Sequence, residues 1–174
     1  MRRFLLGLVL LVTLCLSWTE AQACGDKFLV LGRGVRNQRA AGASHPGSIL
    51  VYLDPKGHLP EAMQAMRLET HLKLAGHKIR SVETRAELET ALASGRYDIV
   101  LADISNMRAL ESDVRSAPAK PALLPVIYNP TGEELAMAER QYACVMKSPS
   151  KKQHFLAVID DAMVLRLKEG RAAR

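Results

Sequence analysis

Four apolar residues, Ile99-Val100-Leu101-Ala102, stand between Asp98 and Asp103, and they constrain the fold more than any other stretch of this chain. Gly95 and Tyr97 precede them, and the polar pair Ser105-Asn106 follows. A short apolar run bounded by turn residues reads as a strand buried on both faces, of the kind found in a parallel sheet covered by helices. Ligands of such sheets bind beyond the carboxyl ends of the strands, where Asp103 falls.

The flanking sequence repeats the alternation. Ile49-Leu50-Val51-Tyr52-Leu53 reads as a strand ending at Asp54, broken by Pro55 and Gly57. Pro60 fits a helical first turn, and Leu59, Met63, Met66, Thr70 and Leu74 make one helix-spaced face that runs to Ala75, with Gly76 as the stop. Lys78 to Val82 alternates like a strand near a sheet edge. Thr84 and Glu87 have capping-box spacing, with Leu88, Ala91 and Leu92 as the buried face behind them. Met107 to Ser116 is the next helix, Ala122 to Tyr128 a strand with one awkward Pro125, and Thr131 with Glu134 a second capping box opening a helix through Arg140. Tyr142 to Met146 reads as a fifth strand and Lys151 to Lys168 as the last helix. Strands alternating with helices predict an α/β fold, a doubly wound parallel sheet with right-handed crossovers. At 48% hydrophobic and 24% charged residues, the composition is that of one globular domain.

The first residues lie outside that domain. Arg2 and Arg3 form a positive n-region, Phe4 to Leu16 is almost wholly apolar, and Ala21-Gln22-Ala23 is a small-x-small cleavage pattern. The run falls short of the roughly 20 residues of a comfortable membrane span. We read residues 1–23 as a signal peptide cleaved after Ala23, residues 24–47 as an N-terminal arm or extra strand, 48–168 as the domain and 169–174 as a tail. Lipid attachment at Cys24 is the second choice, because Glu20 and Gln22 interrupt the approach to it. The expected location is periplasmic or secreted, with no membrane span in the mature chain.

Removing the leader leaves 22 basic and 17 acidic residues, so the net charge falls from +6 to +5. The basic residues are dispersed and only 5% of the chain is aromatic, which gives no platform for nucleic acid. Cys15 leaves with the leader, and Cys24 and Cys144 remain as a natural pair in an oxidising compartment. Their disulfide closes a loop of more than a hundred residues, worth about 4–5 kcal/mol by loop-closure entropy. Gly32-Arg33-Gly34 follows the apolar run Lys27 to Leu31 but lacks the third glycine of a dinucleotide fingerprint, so it reads as a turn.

The predicted strand ends bring Asp54, Asp103, Asn129 with Thr131, and Lys147 to one rim. Two carboxylates and an ammonium there suit a hard cation and a phosphate-like anion. From about Ser48 to Lys168 the chain resembles the response-regulator receiver (CheY-like) domains. Ile49-Leu50-Val51-Tyr52-Leu53-Asp54 is similar to the family's first strand with its acidic pair, and Ala75-Gly76-His77-Lys78 to the turn after its first helix. Tyr97 to Asp103 resembles the strand ending in the phosphoacceptor, Leu124-Pro125-Val126-Ile127 the fourth strand, and Met146-Lys147-Ser148-Pro149 the Lys-Pro close of the fifth. The resemblance implies a flavodoxin/CheY-like (βα)5 sheet of strand order 2-1-3-4-5. It also implies Asp103 as phosphoacceptor, Lys147 and Thr131 as phosphoryl contacts, and Mg2+ at Asp54 and Asp103. The sequence departs from the pattern at four places: Leu53 replaces the first acid, Pro130 falls near the hydroxyl position, Cys144 holds the switch aromatic's place, and Ser148 separates lysine from proline.

Plainer roles compete for each residue. Asp54 can begin a turn before Pro55, and Lys147 can pair with Asp103 as a structural ion pair. His58 is near enough in sequence to join Asp54 and Asp103 at a metal, while His45, His71, His77 and His154 show no ligand spacing. The resulting expectation is an exported pseudo-receiver without catalytic residues, which binds an envelope or sensor protein. The alternatives are a phosphoaccepting receiver of a two-component phosphorelay with Asp103 as acceptor, and a metal-assisted hydrolase at the same rim, for which no general base or nucleophile pair is identifiable.

Overall fold

The computed structural model describes residues 43–172. Its strands are β1 (Ser48–Tyr52), β2 (Lys78–Val82), β3 (Ile99–Asp103), β4 (Ala122–Tyr128) and β5 (Met146–Ser148). They form one parallel sheet in the order β2-β1-β3-β4-β5, the order the receiver resemblance implies. The helices are α1 (Leu59–Ala65), α2 (Leu68–Leu74), α3 (Arg85–Ala93), α4 (Met107–Ser116), α5 (Gly132–Gln141) and α6 (Lys152–Ala172). The chain is therefore an α/β flavodoxin-like fold.

The β3 stretch is as buried as its composition predicts, with every residue from Ile99 to Asp103 inside. Alternation splits its side chains between two cores. Ile99 and Leu101 join Ile49, Val51, Leu124 and Val126 under α1, α2 and α6. Val100 and Ala102 join Leu50 and Val82 under α3 and α4. Both capping boxes form, at Thr84 with Glu87 and at Thr131 with Glu134. Gly76 and Gly95, expected as helix stops, take φ of +97° and +65°, values that glycine adopts without a side-chain penalty.

Three elements depart from the sequence reading. The single helix expected from Pro60 to Ala75 breaks at Arg67, which takes a left-handed φ of 46° between α1 and α2. The break resets the buried face: Leu59, Ala62 and Met66 point inward before it and Leu68 and Leu72 after it, while Leu74 stays exposed. The fifth strand lies at Met146–Ser148 rather than Tyr142–Met146. Pro125 accounts for this. Ala122 N–H donates to Asp98 O toward β3, so odd-numbered residues of β4 turn toward β5, and Pro125 has no N–H to offer there. Pairing begins one residue later, at Val126 with Met146. Finally, α6 runs through residues 169–172, expected as part of a tail.

Candidate functional site

The rim at the carboxyl ends of the strands is built around Asp103, which is 5% exposed. Its carboxylate is occupied by local donors. The His58 N–H donates to Oδ2 at 2.8 Å, and Ser105 gives Oδ1 both its N–H at 2.9 Å and its Oγ–H at 2.6 Å. The Ser105 pair closes an Asx-type turn that starts the 3-10 turn Ile104–Asn106 leading into α4. The His58 bond reaches across from the β1–α1 loop and lays that loop over the aspartate. A Cβ added to Gly57 would stand 3.1 Å from Asp103 Cβ, so the loop approaches as closely as it does because residue 57 has no side chain.

Asp54 is placed in that covering loop, where its Oδ1 accepts the Lys56 N–H at 2.9 Å and its carbonyl accepts the Gly57 N–H. It begins the turn before the helix. His58 meets Asp103 through its backbone, while its ring stacks on Tyr128 with centroids 6.2 Å apart. The Thr131 hydroxyl is engaged in its capping box, donating to Glu134 Oε2 at 2.9 Å and accepting the Glu134 N–H at 3.2 Å. The Glu134 carboxyl is held below its usual range by the Thr131 amide and hydroxyl.

Lys147 lies on the other side of the sheet from Asp103. Register pairs Asp103 with Val126 and Val126 with Met146, so those three share a face, and Lys147 pairs with Ile127 on the opposite one. Lys147 is exposed and forms no ion pair with Asp103 among the described residues. Ser148 takes the inward position next to it, fully buried with its Oγ 3.5 Å from Ala62 O. Cys144 is buried ahead of β5, and Cys24 lies outside the described residues, as do the predicted leader and most of the arm.

Both carboxylates expected to hold Mg2+ already accept hydrogen bonds, three at Asp103 and one at Asp54. A hard cation needs converging oxygen acceptors, whereas Asp103 is surrounded by N–H and O–H donors and Asp54 faces its own loop. Among the described residues no three His, Cys, Asp or Glu side chains gather in a metal-holding group. Nor is any described helix long and apolar enough to cross a membrane. Sequence reasoning missed Ser105 and Gly57 as partners of Asp103. The Asp-x-Ser spacing was a usable signal for the first, but the second depends on a loop path that only packing sets.

No protein family matches the sequence, and no curated protein does. Among solved structures, a pilus assembly-related protein of Burkholderia pseudomallei is similar over 67% of this chain and 89% of its own, with 14% identity and a TM-score of 0.47.

Proposed function

We propose that this chain is an exported, receiver-like interaction module that does no catalysis and works by binding an envelope or sensor protein. The state of Asp103 carries the reading. A phosphoacceptor must present a free carboxylate oxygen to its donor, with a cation and a lysine to neutralise the incoming charge. Asp103 is instead closed over by the β1–α1 loop, and both of its oxygens anchor that loop and the turn into α4. Thr131 is committed to its capping box, and Lys147 lies on the opposite face of the sheet.

Export is supported by Arg2-Arg3, the apolar segment Phe4 to Leu16 and the cleavage pattern ending at Ala23, with a lipid anchor at Cys24 as the alternative. In that compartment the Cys24–Cys144 disulfide ties the arm to the domain beside β5. Fractionation with sequencing of the new N-terminus, and intact mass with and without reductant, test both points.

The functional test is chemical. With acetyl phosphate and Mg2+, the intact mass stays unchanged and Mg2+ leaves the melting temperature where it was. A second reading, phosphoacceptance, is favoured by one observation: Asp103 ends the middle strand of a 2-1-3-4-5 sheet. Stoichiometric gain of one phosphoryl group, abolished in Asp103→Asn, would establish that reading in place of the first.

A further inference from the structure

We infer that the outer edge of β2 and the groove beside it dock an extended acidic segment of a partner protein, which joins the sheet as a further strand. The inference is independent of export and of the chemistry of Asp103.

The backbone supplies the first half of the site. Lys78 N–H donates to Gly47 O and Val82 O accepts from Leu53 N–H, so in this parallel ladder Lys78, Arg80 and Val82 turn their main-chain groups toward β1. The N–H and C=O groups of Ile79 and Ser81 therefore point outward. Among the described residues no strand pairs with that edge.

Next to the edge, on the α1 and α2 side, lies an open groove of about 400 Å³. Leu53, Pro60 and Met63 give it apolar walls, and Arg67, Thr70, Ser81, Gln64 and the carboxylate of Glu69 a polar border. An added strand would direct alternate side chains to this face, and the groove has room for one of them.

Charge selects the occupant. Arg67 is exposed and makes no ion pair among the described residues, while Glu69, in the same groove lining, is paired with Lys73 at 2.6 Å. On the opposite face of the strand Lys78 and Arg80 are exposed. Glu87, held on the Glu83 and Thr84 amides, lies near enough to Arg80 to offset part of its charge, while Lys78 makes no ion pair among the described residues. Cations thus flank the open edge on both faces. They deter pairing with a second, equally basic edge and favour an acidic strand.

The test uses the full chain and a fluorescent peptide, acetyl-Glu-Val-Glu-Val-Glu-Val-amide, with its lysine counterpart as control. The acidic peptide is expected to bind and the lysine peptide not to. Arg67→Glu weakens binding by about tenfold or more while Arg67→Lys preserves it. Ser81→Pro, which deletes an outward N–H but no bond to β1, also weakens it. Amide exchange slows on binding at Ile79 and Ser81, and N-methylation of one alternate set of peptide residues abolishes binding while the other set is tolerated. No binding at millimolar peptide, binding indifferent to Arg67→Glu, or unchanged exchange at Ile79 and Ser81 would overturn the inference. So would slow exchange there in the peptide-free chain, which would mean that the edge is already covered.

Discussion

Thr131 is a side chain with a plausible chemical role that local structure has already claimed. Its hydroxyl and amide both bond Glu134, and together they start α5. Thr131→Ala should cost about 1 kcal/mol in urea unfolding, the usual loss for a helix cap, with no effect on any phosphodonor reaction. Both capping boxes were legible in the sequence because every partner lies within four residues. Lys147 was not. Its chemistry drew it to the rim in the sequence reading, but the face it occupies depends on register with Ile127, and a slip of one residue inverts every side chain of a strand. The same limit applied to Asp103. Its bonds to Ser105 lie in an Asp-x-Ser pattern, whereas the His58 amide comes from 45 residues away.

Most elements were readable from apolar spacing and punctuation, and the errors have identifiable physical causes. In the α1–α2 segment, Leu68 and Leu72 are out of phase with Leu59, Ala62 and Met66, so one straight helix would bury one set and expose the other. The chain buries both by placing a left-handed residue between two seven-residue helices. That residue is an arginine rather than the glycine such a junction ordinarily carries. Arg67→Gly should therefore stabilise the protein by up to about 1 kcal/mol, the relief of a left-handed side-chain clash less the added freedom of the unfolded chain. Thermal and urea unfolding check this; a clear loss of stability would show that the arginine side chain contributes more than its backbone costs. Likewise β5 is short because of Pro125, a residue of the preceding strand that no local pattern in Tyr142 to Met146 reveals.

Across the whole molecule, the two ends of the sheet are closed by different means. At the amino end, the segment from Ala43 to Ser48 is fastened to α6 and to the starts of β2 and β3. Ala43 N–H donates to Ala75 O, the Ser44 and His45 amides to Asp160, and the Ser48 amide to Asp98, which also pairs with Arg166 at 2.7 Å. The Gly47 N–H donates to Nδ1 of the buried His77 at 3.2 Å, a bond that requires that nitrogen to be unprotonated. Burial pushes the His77 pKa below its ordinary 6.5, against the opposing field of Asp160. The unfolded chain therefore binds a proton that the folded one refuses, and stability falls as pH drops below about 6.5 toward the folded value, with no contribution above neutrality. Melting temperatures from pH 7.5 to 5 should show this decline, and His77→Gln, which keeps an acceptor for Gly47, should flatten it. At the carboxyl end, closure rests on the Asp103 carboxylate. If that carboxylate exists to hold the β1–α1 loop and the turn into α4, then Asp103→Asn should destabilise the protein by about 2 kcal/mol in urea unfolding at neutral pH, because three donors lose a charged acceptor. A variant as stable as the parent, or more stable, would mean that the charge is held against a strain kept for an incoming ligand, and would contradict the account.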